Sequence, residues 1–187
     1  MELTFRDLIT VLHGMGFGVL FMLAFSGAIG VIYATAVGPQ QPTSPNHDRM
    51  FRFYLVSMAV LSWLAVLSGA YIIYPWYRAV PPTGTTDLSA FPQHLLQSSP
   101  LTSGWHDYGM EWKEHIAWFT PIAMTMVAYV FILYGPRLAL HKHLRNAVLG
   151  FTAAAFLATA VAGGAGAFLN KVAPVRGGAE IVLMRGK

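Results

Sequence analysis

Apolar residues fall into four long blocks, roughly 8–37, 53–77, 116–134 and 144–169, parted by polar or proline-bearing stretches. A membrane helix needs about 20 mostly apolar residues, so each block predicts a transmembrane span. The first is long enough to tilt or to project beyond the bilayer. The linker 38–52 carries Pro39, Pro42 and Pro45 and predicts a polar turn. The linker 78–111 is the longest, with Pro81, Pro82, Pro92 and Pro100, and its segment 91–96 is a candidate for the membrane interface. The linker 135–144 is short and basic, which predicts that spans three and four are antiparallel neighbours. A tail, 170–187, holds Pro174 and Gly177-Gly178 and then a strand-like apolar run at 181–184. The first block exceeds a signal-peptide core and shows no small-residue cleavage site. The expected fold is an all-α membrane protein, a four-transmembrane-helix bundle running up-down-up-down, with 1–187 as a single membrane domain.

Composition agrees with this pattern. The 187 residues are 55% hydrophobic and 11% charged, against about 25% charged in soluble domains. Absence of cysteine excludes disulfides, thiolate metal sites, a cysteine nucleophile and covalent c-type haem attachment. No phosphate loop, nucleophile elbow or metalloprotease motif is present, and the basic residues are too few and dispersed for nucleic acid.

Charge placement suggests a sidedness. Four spans put both termini and the linker 78–111 on one side. The other side holds Arg49, Arg52, Arg137, Lys142 and Arg145 against Asp48 alone. Counting Lys and Arg near the spans places that side in the cytoplasm and the termini outside, although Arg6, Arg78, Lys113 and Lys171 also flank spans.

The candidate chemistry lies at the outer end. The stretch 110–121, Met-Glu-Trp-Lys-Glu-His-Ile-Ala-Trp-Phe-Thr-Pro, gathers Glu111, Lys113, Glu114 and His115 at the mouth of span three. At a rise of 1.5 Å per residue, His13 lies roughly 13 Å from the middle of span one and His115 roughly 15 Å from the middle of span three. Two histidines at one depth on two helices are what axial ligation of a haem iron requires. Small residues cluster at that level: Gly14, Gly16 and Gly18, Gly69, and Gly163-Gly164-Ala165-Gly166. Gly16 shares the face of His13. Arg6 and Arg78 are candidates to pair with haem propionates, and Tyr74 is a further pocket residue.

Simpler readings stand beside each of these. His115 can be an interfacial residue, His13 a hydrogen-bonding residue between helices, and Gly14-x-x-x-Gly18 an ordinary packing seam. Glu111 and Glu114 suit a helix N-terminus. With His115 and Tyr74, Glu111 could also serve a quinone headgroup. His141-Lys142-His143 at the other end reads as headgroup contact, and His94 and His106 as loop residues. His106 is the alternative ligand should His115 face away.

A histidine in span one, a histidine opening span three and small residues between them resemble the four-helix membrane b-type cytochromes, across about two thirds of the chain. A second histidine pair, as in the two-haem versions, is absent. The phrases Tyr74-Pro75-Trp76-Tyr77-Arg78 and Glu111-Trp112-Lys113-Glu114-His115 are similar to those of small bacterial four-helix membrane proteins. The cytochrome resemblance implies an electron-transfer subunit, and with the charge placement above the expected location is a bacterial inner membrane with both termini periplasmic. One haem b would sit between His13 and His115. Electrons would pass between quinone or a partner subunit and a redox partner, and the chain would be a non-catalytic part of an oxidoreductase complex. The alternative is a cofactor-free structural subunit of a larger respiratory or photosynthetic complex.

Overall fold

The computed structural model describes residues 2–37, 45–175 and 180–182. Four helices are long and apolar enough to cross a membrane: Phe5–Ala34, Pro45–Tyr77, Pro100–Leu140 and Lys142–Val172. These are spans one to four. They pack in a ring, each against its sequence neighbours and span four against span one. Phe21, Leu55, Met124 and Val148, one from each span, are fully buried where the four meet. Phe25 stacks on Phe156 with centroids 4.2 Å apart, and Phe51 meets Phe131 edge-on at 4.8 Å.

Lipid tails are as apolar as leucine, so close packing and interhelical hydrogen bonds must hold membrane helices together. Here the bonds are specific. Tyr54 Oη donates to the Ala24 carbonyl, and the bare Gly27 lets it approach: a Cβ there would lie 2.7 Å from the hydroxyl. Trp63 Nε1 donates to Thr125 Oγ1 at 3.0 Å. Thr120 Oγ1 reaches the Ala155 carbonyl at 3.1 Å and Thr159 Oγ1 at 3.0 Å. These bonds join spans one and two, two and three, and three and four.

The third helix departs from the expected 116–134. It begins at Pro100, where Ser99 Oγ accepts the Leu101 N–H at 3.3 Å and proline occupies the first turn. Much of the expected linker is therefore helix, because a serine cap and a first-turn proline start one well before the apolar run begins. The segment 91–96 is largely the short helix Pro92–Gln97. Its Leu96 is buried with Tyr77, Met110 and Leu169 and closes that end of the bundle. At the opposite end Gly135, at φ +47°, stops the α-helical part of span three, and a 3₁₀ segment, Gly135–Leu140, follows. Arg52, paired with Asp48 at 2.7 Å, packs on this glycine.

Two three-residue strands, Glu2–Thr4 and Glu180–Val182, pair antiparallel and bring the described ends of the chain together. Only part of the expected 181–184 run lies within the described residues. Pro39 and Pro42 of the first linker and Gly177-Gly178 of the tail lie outside them, and Pro45 opens span two.

Three spans change gauge at the end that carries the candidate chemistry. Leu12–Val19, Gly69–Ile73 and Trp105–Met110 are π-helical. Such turns are rare and concentrate at functional sites, because the wider turn re-aims side chains.

Candidate functional site

The site grows from the inner face of span three. His106, Met110, Thr120, Met124 and Val127 are all buried, and they mark a stripe at helical spacing. Lys113 lies seven residues after His106 and seven before Thr120, so it falls on that stripe. It points at span four, where a Cβ on Gly166 would lie 3.3 Å from Lys113 Cε and 3.5 Å from Nζ. The glycine makes room for the lysine. No hydrogen bond or ion pair of the Lys113 amine is present among the described residues; its charge acts on His13 of span one and on Glu114.

His13 faces span two. Its Nδ1 lies 3.0 Å from Ser68 Oγ, and its ring covers Gly69, where a Cβ would come within 2.8 Å of Cε1. Ser68 donates its own proton to the Ala65 carbonyl at 3.1 Å. Its oxygen is left to accept, so His13 carries the proton on Nδ1, and Nε2 keeps a free lone pair.

Nearer the surface, Arg78 joins spans two and three. Its Nη2 lies 3.0 Å from Glu111 Oε1 and 3.6 Å from Glu114 Oε1. The guanidinium sits 5.1 Å from the Tyr74 ring centroid, and Tyr74 lies beside Glu114 as well. Burial works against the Arg78 charge, but Tyr74, Glu114 and Glu111 more than offset it and raise its pKa. One turn further out, Tyr77 Oη and His106 Nδ1 share a buried hydrogen bond of 2.8 Å.

Of the residues expected from sequence, His13, Tyr74 and Arg78 gather at this end around Lys113, Glu111 and Glu114. His115 does not join them. It is exposed, and its Nδ1 donates to the Glu111 carbonyl at 2.7 Å within its own helix. Two residues separate it from Lys113, about 200° of helix rotation, so an inward lysine sends the histidine outward. Gly16 is covered by Leu12, whose Cδ1 would lie 2.8 Å from an added Cβ. Arg6 sits over the Trp76 ring, 5.2 Å from its centroid. His106, expected in a loop, is buried on a helix.

A porphyrin between His13 and His115 would need both rings turned inward with free space between them. Here only His13 turns inward. The gaps left by Gly69 and Gly166 are filled by the His13 ring and the Lys113 side chain, and Arg78 is engaged by two carboxylates. These residues do not fit a two-histidine haem clamp. Among the described residues no group of three His, Asp or Glu side chains could hold a metal ion.

Lys113, Ser68 and the buried role of His106 are not among the residues expected from sequence. The signal for the first and last is the stripe 106, 110, 113, 120, 124, which continues the membrane face of span three back through the charged stretch. No family model, curated protein or solved structure matches this chain.

Proposed function

We propose that this protein is an integral membrane subunit of an electron-transport complex, and that the outer end of its bundle binds a quinone headgroup and exchanges protons with it. One observation carries the reading. Lys113, His13, Glu114, Glu111, Arg78 and Tyr74 converge from three spans on one end of the bundle. Ionisable side chains held within membrane helices mark substrate and proton pathways.

The division of labour follows from the donors and acceptors. Lys113 has only donors and no bound acceptor, which suits a quinone carbonyl oxygen. His13 Nε2 has a lone pair and suits a quinol hydroxyl. Oxidation of a quinol releases two protons and two electrons. His13 Nε2 and the Glu114 carboxylate are the acceptors for the protons, and Glu111 with Arg78 links Glu114 to the surface. The electrons pass to a redox centre in a partner subunit, since the inward side chains of this chain offer proton chemistry and no two-histidine iron site.

The test is the quinone content of the protein purified in mild detergent, extracted and quantified per chain. The wild type should retain quinone, and Glu114→Gln, with its fold intact by circular dichroism, should retain far less. Equal retention, or none in either, would overturn the reading.

A further inference from the structure

The end of the bundle opposite the titratable cluster has a different character. Its helix ends carry five cations, Arg49, Arg52, Arg137, Lys142 and Arg145, against one acid, Asp48, and the linker 38–44 between spans one and two is uncharged. The remainder of the chain holds seven residues of each sign, so the whole formal net charge of +4 sits at this end. Asp48 is already taken, since it pairs with Arg52 at 2.7 Å. Arg49, Arg137 and Lys142 are exposed and form no ion pair among the described residues.

The fold fixes these charges at the edge of the apolar bundle. Arg49 lies in the first turns of the helix that Pro45 opens, and Lys142 opens span four. Arg137 lies in the 3₁₀ segment Gly135–Leu140 that closes span three. That segment is pinned on both sides of Arg137. Gly135 is buried beneath the Arg52–Asp48 pair, where a Cβ would lie 3.1 Å from Arg52 Nη2, and Leu138 is buried in the core. Residues three apart eclipse in a 3₁₀ turn, so Leu140 shares the face of Arg137, and it is 68% exposed. Phe53, four residues after Arg49 and so on its face, is 73% exposed. Each of these faces offers a cation and an apolar side chain together.

We infer that this end binds an anionic phospholipid, with the phosphodiester on Arg137 and Lys142 and the acyl chains along Leu140, and that it selects such a lipid over a zwitterionic one. The inference is independent of the quinone reading. Charge complementarity supports it. A guanidinium takes phosphate oxygens in pairs, and the one carboxylate at this end that could compete is held by Arg52. Position selects a lipid over a soluble anion. The cations flank helices long and apolar enough to cross a membrane, which puts them at the level of the headgroups, and the apolar residues beside them have acyl chains to meet. A zwitterionic headgroup brings its own cation and gains little from an unpaired arginine. An anionic one gains about fivefold in affinity for each Lys or Arg near the membrane surface.

The experiment reads lipid selectivity by electron paramagnetic resonance, with spin-labelled phosphatidylglycerol or spin-labelled phosphatidylcholine in phosphatidylcholine vesicles that hold the full-length protein. The wild type should immobilise phosphatidylglycerol in preference by about fivefold or more. That preference should fade in 1 M salt, where the Debye length falls to about 3 Å from about 10 Å at 0.1 M, a reading that needs no variant. The double variant Arg137→Gln, Lys142→Gln alters two exposed side chains, and circular dichroism checks its fold. It should lose most of the preference, whereas Lys171→Gln, at the other end of span four, should keep it. Equal immobilisation of the two lipids by the wild type would overturn the inference and leave these cations as a topological signal alone. A preference that survives 1 M salt, that is unchanged in the double variant, or that falls as far in Lys171→Gln would overturn it as well. Displacement of the spin-labelled phosphatidylglycerol by a soluble poly-glutamate peptide would assign this end to an acidic protein partner and overturn the lipid assignment.

Discussion

Replacing Lys113 with methionine should make the protein more stable and less able to bind quinone. The amine lies among helices with no hydrogen-bond acceptor among the described residues, its stem against Gly166. A polar group withdrawn from water without a partner costs about 1–3 kcal/mol in protein mutational data. Lys113 is only half-buried, so the low end applies. Its attraction to Glu114 returns part of this, about 0–1 kcal/mol for a solvent-screened pair. Methionine keeps the length and packing of the stem and removes the charge. The net gain is about 0.5 kcal/mol, or a Tm rise of about 1–2 °C for a chain of this size. Quinone binding moves the other way. A hydrogen bond from a charged donor contributes about 1.5–3 kcal/mol, so affinity should fall by about tenfold to a hundredfold. Scanning fluorimetry in detergent reads the first quantity, and a quinone titration on the same sample reads the second. A methionine variant that melts several degrees lower and binds quinone unchanged would refute the assignment, since Lys113 would then be a structural residue.

Other substitutions test the frame around the site. Thr120→Val removes both bonds from span three to span four and should cost about 1 kcal/mol, near the upper part of the range for interhelical bonds in membranes; chemical denaturation in mixed micelles reads it, with quinone affinity unchanged. Gly69→Val places side-chain atoms where the His13 ring lies, so the histidine must leave Ser68, and a site-labelled NMR spectrum should show the ring proton of Nδ1 exchanging faster with water. Gly135→Ala forces a non-glycine residue to φ +47° and pushes on Arg52; a loss of about 1–3 kcal/mol follows from the backbone strain alone. A reduced-minus-oxidised visible spectrum of the purified chain should lack a b-type haem band, and a reducible band in stoichiometric amount would reinstate an iron site.

The spans were legible in the sequence because the bilayer imposes a length rule on apolar runs. All four are present, and the described strands Glu2–Thr4 and Glu180–Val182 lie at the same end of the bundle, as an even number of spans requires. The site was legible in depth but not in direction. Residue spacing puts His13 and Tyr74 near one level with Arg78 closer to the surface, and in the structure His13 meets Ser68 of span two while Arg78 meets Glu111 of span three. Residue type alone points to the wrong inward side chain on span three, because His115 stands out while Lys113 reads as a flanking charge. Periodicity decides between them. Continuing the buried positions Thr120, Met124 and Val127 backwards leads to Lys113, Met110 and His106, and leaves His115 on the opposite face. In the sequence the glycines suggest space for a planar ring. Gly69 and Gly166 do supply space, but single polar side chains use it. No periodicity announces that choice, since it depends on which neighbouring helix presents the long side chain.

The quinone reading stands on the titratable cluster of Lys113, His13, Glu114, Glu111, Arg78 and Tyr74 at one end of the bundle. Titration of the purified wild-type protein with decyl-benzoquinone, followed by quenching of its tryptophan fluorescence, reads this binding, since Trp112 directly precedes Lys113 on span three. Saturable binding of one quinone per chain is expected, weakened in both Lys113→Met and Glu114→Gln. Quenching that rises linearly without saturation, and identically in wild type and both variants, would contradict it.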